Sequence, residues 1–174
     1  MRQGFAVWLT GLPASGKTTI ANVLRRELAD RGVNVAVLES DALRRILTPN
    51  PRYGESERDI FYAAMAHIGG LLTRHGVSVI FDATANRRSY RDRARRQIPE
   101  FLEVHVDCPL EVCEARDPKG IYRRGREGIS PNVPGLHAEY EPPLQPDLVV
   151  RGDREMPDDA ARRIVATLAG KGFL

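Results

Sequence analysis

Cysteine is scarce in this sequence. The two present, Cys108 and Cys113, are too few to staple a chain of 174 residues. Their C-x4-C spacing has no accompanying His or Cys cluster of the kind that holds a metal. Two reduced thiols near the core of a cytoplasmic protein are therefore expected. Long apolar runs are absent as well: none approaches the ~20 residues that a bilayer-spanning helix needs, so no membrane association is expected. The short apolar start, MRQGFAVWLTGLPASGK, leads directly into a glycine-rich loop, and cleaving it as a signal peptide would destroy that loop. An excess of one charge sign is also lacking. The net charge is +3 and no basic block interleaves with aromatics, which argues against a nucleic-acid or membrane-surface coat. The scattered arginines suit a pocket for a small anion. Repeats, low-complexity tracts and interdomain linkers are missing, which leaves one domain over residues 1–174.

What is present is alternation. Apolar runs suited to strands, FAVWLT (5–10), NVAVLE (34–39), VSVIFD (77–82), FLEVHVD (101–107) and DLVV (147–150), are apolar enough to be covered on both faces. Helical patterns lie between them: 17 to about 31, stopping at Gly32; 56–75, opening on a Ser cap and stopping at Gly76; 88–97, ending before Pro99; and 157–169, ending at Gly170. The pair Gly69-Gly70 weakens the second of these without breaking it. The expected fold is α/β, a doubly wound, mainly parallel five-stranded sheet. Residues 117–146, rich in Pro, Gly and Arg, break the alternation, and a long irregular segment of this kind suits a mobile arginine-rich lid.

GLPASGKT, residues 11–18, matches the G-x-x-x-x-G-K-[ST] phosphate-binding loop, set between a strand and a helix as that motif requires. Gly11 and Gly16 permit backbone turns that a side chain would obstruct. Pro13, Ala14, Ser15, Gly16 and Thr19 complete a nest of N–H groups at a helix N-terminus. Lys17 is expected to reach the β/γ-phosphates of ATP and Thr18 to hold Mg²⁺. No guanine-reading Asn-Lys-x-Asp is apparent, so a small-molecule kinase fits better than a GTPase switch. Asp41 in LESDALRR and Asp82 in IFDAT close strands expected beside the loop strand. Asp82 is expected to hold Mg²⁺. Asp41 is expected to orient or deprotonate the acceptor hydroxyl or to hold the metal, against a competing role as helix cap. Glu39 is a weaker third candidate. The stretch VIFDATANRRSYRD, 79–92, sends Asn86, Arg87, Arg88 and Arg91 out beyond Asp82, toward the acceptor.

These residues add up to a resemblance. GLPASGKTTIANVL is similar to the loop and helix G-L-S-G-S-G-K-S-T of the adenylylsulfate kinases, and LESDALR to their L-D-G-D-N-V-R. VDCPLEVCEARDPKGIYRRGREG resembles V-D-T-P-L-E-V-C-E-x-R-D-P-K-G-L-Y-K-x-A-R-x-G, and EYEPPLQPDLVV resembles P-Y-E-x-P-x-x-P-E-I. The resemblance covers nearly the whole chain. It implies transfer of phosphate from MgATP to the 3′-hydroxyl of adenosine 5′-phosphosulfate. It further implies Arg44 on the phosphosulfate, Arg116 on the ATP adenine, Lys119, Arg123 and Arg124 in the lid over the phosphates, and Tyr53 against the substrate adenine. Arg58, Asn86, Arg87, Arg88 and Lys119 join the acceptor side. Many relatives form dimers, and a homodimer stays open here.

The departures fall in the acceptor pocket. Phe61 and Ala64 stand where the family has N-x-x-R, and Val133 replaces its lid Phe. ATANRR replaces F-I-S-P-Y-R, leaving only Arg88 in common. Two alternatives therefore stay open: a kinase of the same fold for another anionic acceptor, such as a different nucleotide or a nucleic-acid 5′-end, and a nucleotide-binding module without catalysis.

Overall fold

The computed structural model describes residues 3–174. Five strands form one sheet: β1 (Ala6–Thr10), β2 (Val35–Glu39), β3 (Ser78–Asp82), β4 (Phe101–Asp107) and β5 (Leu148–Arg151). Their order is β2-β3-β1-β4-β5, and every pairing is parallel. The strand carrying the glycine-rich loop is therefore central, and the carboxyl ends of all five strands open on one edge. Only β3 and β4 border β1. Asp41 follows β2, which is separated from β1 by β3, so the expectation that both acids close strands adjacent to the loop strand holds for Asp82 alone.

Helices cover both faces because every residue of β1 and β3 is buried. On one face α1 (Lys17–Asp30) and α7 (Pro157–Gly170) pack on Val7, Leu9, Ile80, Leu102 and Val104. On the other, α3 (Glu55–Arg74) and α4 (Arg88–Gln97) pack on Trp8, Val79 and Phe81. Each large apolar side chain removed from water here contributes about 1.5–3 kcal/mol. Gly69 lies where α3 meets β3: a Cβ would fall 2.2 Å from the Phe81 ring. Gly69 thus allows close helix–sheet contact, and α3 runs unbroken through the pair.

Two short helices escaped the sequence patterns, α5 (Leu110–Arg116) and α6 (Ile121–Arg126), while the helix weighed after Asp41 is present as α2 (Ser40–Leu47). One expected cap is corrected and one competing cap reading falls away. Helix α3 is entered from Gly54 with no side-chain cap, so Ser56 lies inside its first turn. Helix α2 is entered from Glu39, so Asp41 is helical and not a cap. The segment 117–146 contains α6 and packs against α5 through Cys113, Tyr122 and Val133, a small third core. Cys108 and Cys113 are free and buried. No helix among the described residues is long and apolar enough to cross a membrane.

Candidate active site

The loop between β1 and α1 forms as its residues dictate. Ala14 and Gly16 take left-handed backbone angles, φ +63° and +105°, which turn successive N–H groups inward as an anion nest requires. At Gly11 a Cβ would meet the Val106 carbonyl at 2.4 Å, so only glycine lets the loop lie on β4. Lys17 is buried and donates to the carbonyls of Gly11 (3.0 Å) and Leu12 (2.8 Å). Burial pulls its ammonium down to about 8, against the opposing pull of Asp82 and Asp41. Thr18 Oγ1 donates to Asp82 Oδ2 at 2.6 Å. The Ser15 hydroxyl is buried in the same loop without a hydrogen-bond partner.

The loop forms one end of a cavity of about 760 Å³, within the range of small-ligand sites. Pro13, Ala14, Gly16, Lys17, Thr18 and Thr19 line that end, while Gly11 and Ser15 sit behind it. Beyond them, Arg116 and residues 152–157 form a side wall. Arg116 Nη1 donates to the Gly152 carbonyl at 2.9 Å. Lys119 and Asp41 meet across the middle, Nζ to Oδ2 2.5 Å. Burial works to lower the Lys119 ammonium, but the bond to Asp41 and the surrounding carboxylates outweigh it and raise it. Glu39 and Asp82 pair in register on neighbouring strands and line the same space.

The far end holds Arg44, Tyr53, Arg58 and Asn86. The Arg44 guanidinium lies 3.9 Å from the Phe61 ring centre and 5.0 Å from that of Tyr53. Its Nη1 is buried without a hydrogen bond, and the Glu57 carboxylate stands 3.6 Å away. Glu57 also accepts the N–H groups of Arg52 and Tyr53, at 2.9 and 3.1 Å. That contact fixes the turn into α3 and holds Tyr53 at φ +56°. Arg58 Nη2 donates to the Asn132 carbonyl at 2.6 Å.

The structure corrects the arginine-rich stretch. Arg87 leaves the cavity and pairs with Glu55 on the surface, 2.7 Å. Arg88 also lies outside it, with its guanidinium on the Pro142 carbonyl (3.1 Å) and its N–H on Glu141. Arg91 is buried in the protein interior. The reason is the helix: α4 starts at Arg88 and steps its side chains away from the strand ends. Within α6, Arg124 lines the cavity and Arg123 does not. Sequence reasoning missed Tyr62, Thr84, Asn132 and the 152–157 wall, all of which line the cavity; none carries a local motif.

The depressed Lys17 predicts a proton linkage. Above pH 8 the lysine in the ligand-free site is mainly neutral, and a bound triphosphate favours its charged form. Uptake of roughly one proton per bound ATP analogue is expected at pH 9, and almost none at pH 7. Calorimetry in two buffers of different ionisation enthalpy reads this directly, and equal uptake at both pH values would contradict the assigned environment.

The family model described as adenylylsulphate kinase matches residues 3–151. An adenylyl-sulfate kinase of Rippkaea orientalis is 38% identical over 173 residues, 99% of this chain and 96% of the relative. One of Halothermothrix orenii is 37% identical over 99% of this chain and 94% of its own length. The Mycobacterium tuberculosis APS kinase CysC, solved with AMPPNP and APS, superimposes with a TM-score of 0.91 at 32% identity, covering 97% of this chain and 99% of that one. With a family model matched over most of its length and relatives similar from end to end, the chain belongs to the adenylylsulphate kinase family.

Proposed function

We propose that this protein transfers the γ-phosphoryl group of ATP to the 3′-hydroxyl of adenosine 5′-phosphosulfate, as a single kinase domain working in the cytoplasm. The observation that carries the reading is the two-ended cavity. A triphosphate loop closes one end, and two buried arginines beside an aromatic ring furnish the other. Kinship with proteins named for this activity supports the same assignment.

The residues divide the work. Lys17 exchanges its loop carbonyls for the β/γ-oxygens of ATP, and the N–H nest carries the remaining phosphate charge. Thr18 and Asp82 offer a hydroxyl and a carboxylate side by side, hard oxygen donors that suit Mg²⁺. When bound there, Mg²⁺ neutralises charge on the transferring phosphoryl group. Arg116 packs on the ATP base. Arg44 and Arg58 hold the acceptor's anionic groups, and Tyr53 its base. Asp41 orients the acceptor hydroxyl and takes its proton, once Lys119 turns from Asp41 to the phosphates. The segment 117–146 acts as the lid, excluding water so that ATP is not hydrolysed.

The test is ADP release with a panel of acceptors at fixed MgATP: adenosine 5′-phosphosulfate, AMP, other nucleotides and an oligonucleotide 5′-end. Adenosine 5′-phosphosulfate is expected to exceed every other acceptor in kcat/KM by at least about 100-fold, since a site built on buried polar groups rejects ligands that leave them unpaired. A better rate with another acceptor would reassign the substrate. ATP binding without transfer to any would make the chain a nucleotide-binding module.

A further inference from the structure

We propose that Arg91 is a positioning residue for the acceptor end of the cavity: one buried guanidinium that ties the loop after β3 to the chain segment 139–142. The inference rests on the acceptor reading of that end. Arg91 is 1% exposed and touches nothing in the cavity itself. Its planar fork donates in three directions. Nε reaches Glu103 Oε1 on β4 at 2.7 Å, Nη1 reaches the Ala85 carbonyl, and Nη2 reaches the Glu141 carbonyl at 2.7 Å. No other side chain type carries enough donors in one plane to do this.

What it holds is the strip that supplies Thr84 and Asn86 to the cavity wall. Ala85 sits at φ +43°, a left-handed angle that a non-glycine residue keeps only when its surroundings enforce it. The enforcement is visible on both sides of the residue. The Ala85 N–H donates to the Tyr62 hydroxyl at 3.1 Å, and its carbonyl accepts from Arg91. The Thr84 carbonyl accepts from Thr10 Oγ1 at 2.7 Å, and that hydroxyl meets the Tyr140 hydroxyl at 3.0 Å. Asn86 is bound to the same segment, with its Nδ2 on the Glu139 carbonyl (3.0 Å) and its own carbonyl on the Glu141 N–H (2.7 Å). Arg91 and Thr10 each bond both strips at once, and of the two only Arg91 grips both through their backbone carbonyls.

A buried ion pair is a weak source of net stability, because desolvation offsets most of the attraction. The Arg91–Glu103 pair, which Arg95 also joins at 3.2 Å, anchors the guanidinium, while its two carbonyl bonds fix the geometry of the loop. The two roles separate by mutation. Arg91→Lys keeps the charge but cannot bond all three acceptors. It is expected to raise the acceptor KM at least 10-fold while the ATP KM stays within 2-fold. Glu103→Gln removes the ionic partner but leaves both carbonyl bonds. It is expected to lower the melting temperature with both KM values within 2-fold of the parent. Thr10→Val cuts the same connection from the opposite side and is expected to repeat the acceptor-selective rise, should Arg91→Lys not fold.

Hydrogen exchange supplies a readout that needs no acceptor. In Arg91→Lys the Ala85 and Glu141 amides should exchange at least 10-fold faster, with the β1 amides unchanged. This outcome stands even if adenosine 5′-phosphosulfate proves not to be the substrate. Equal rises in both KM values, an unchanged acceptor KM, or faster exchange spread evenly over the sheet would each overturn the proposal.

Discussion

Lys17→Met is expected to lower the rate of phosphoryl transfer by about 10³-fold while leaving the fold intact. In the proposed reaction Lys17 is the loop cation on the phosphates, and phosphoryl transfer depends almost wholly on positioning and charge stabilisation. The ligand-free state tells the other half. There Lys17 is buried and satisfied only by two carbonyls of its own loop, and burial has pulled its ammonium down to about 8. The folded protein therefore holds that charge at a cost. Methionine of similar length removes the cost, so the ligand-free variant should melt no lower than the parent, and on the order of 1–2 kcal/mol higher is reasonable for a relieved buried charge. A variant that keeps transfer within 10-fold would refute the phosphate-loop assignment. A variant that loses both transfer and fold would refute the account of the strained lysine.

Arg44→Met is expected to raise the acceptor KM by about 10- to 100-fold, with the ATP KM unchanged. The figure follows from losing charge-assisted hydrogen bonds worth about 1.5–3 kcal/mol. Arg44 is buried, its Nη1 has no hydrogen bond, and Glu57 at 3.6 Å is too distant to supply one. The Phe61 ring beneath it fixes the guanidinium plane without occupying a donor. The arrangement leaves a buried cationic donor unbonded in the cavity lining, as the proposed acceptor role requires. Steady-state kinetics with each substrate varied in turn would decide. Equal rises in both KM values would remove Arg44 from the acceptor side.

Much of the fold was legible because its signals are long or local. Five apolar runs gave the strands to within a residue or two, and the loop motif carries its own strand–helix context. Helices α2, α5 and α6 were less legible because each has eight residues or fewer, too short for a helical period to stand out. The site divided along similar lines. The grouping of Lys17, Thr18 and Asp82 followed from parallel strands ending on one edge. The directions of Arg87, Arg88 and Arg91 did not follow, because a sequence shows how many charges leave a strand and not where a helix turns them. Asp41 shows a third limit. A residue just after a strand suits a helix cap, and only its ion pair with Lys119, 78 positions away, reveals the cavity as its surroundings.

The glycine-rich loop has walls drawn from much later in the chain. Gly152 lies so close that a Cβ there would sit 2.1 Å from the Ser15 carbonyl, and the Tyr122 hydroxyl donates to the Pro13 carbonyl at 2.8 Å. During synthesis the loop therefore leaves the ribosome long before its surroundings do. The site is not finished until residues 152–157 have packed beside the loop, so ATP is expected to stabilise most strongly the states in which that wall has formed. The loop becomes a finished site only when segments more than a hundred positions later have packed against it.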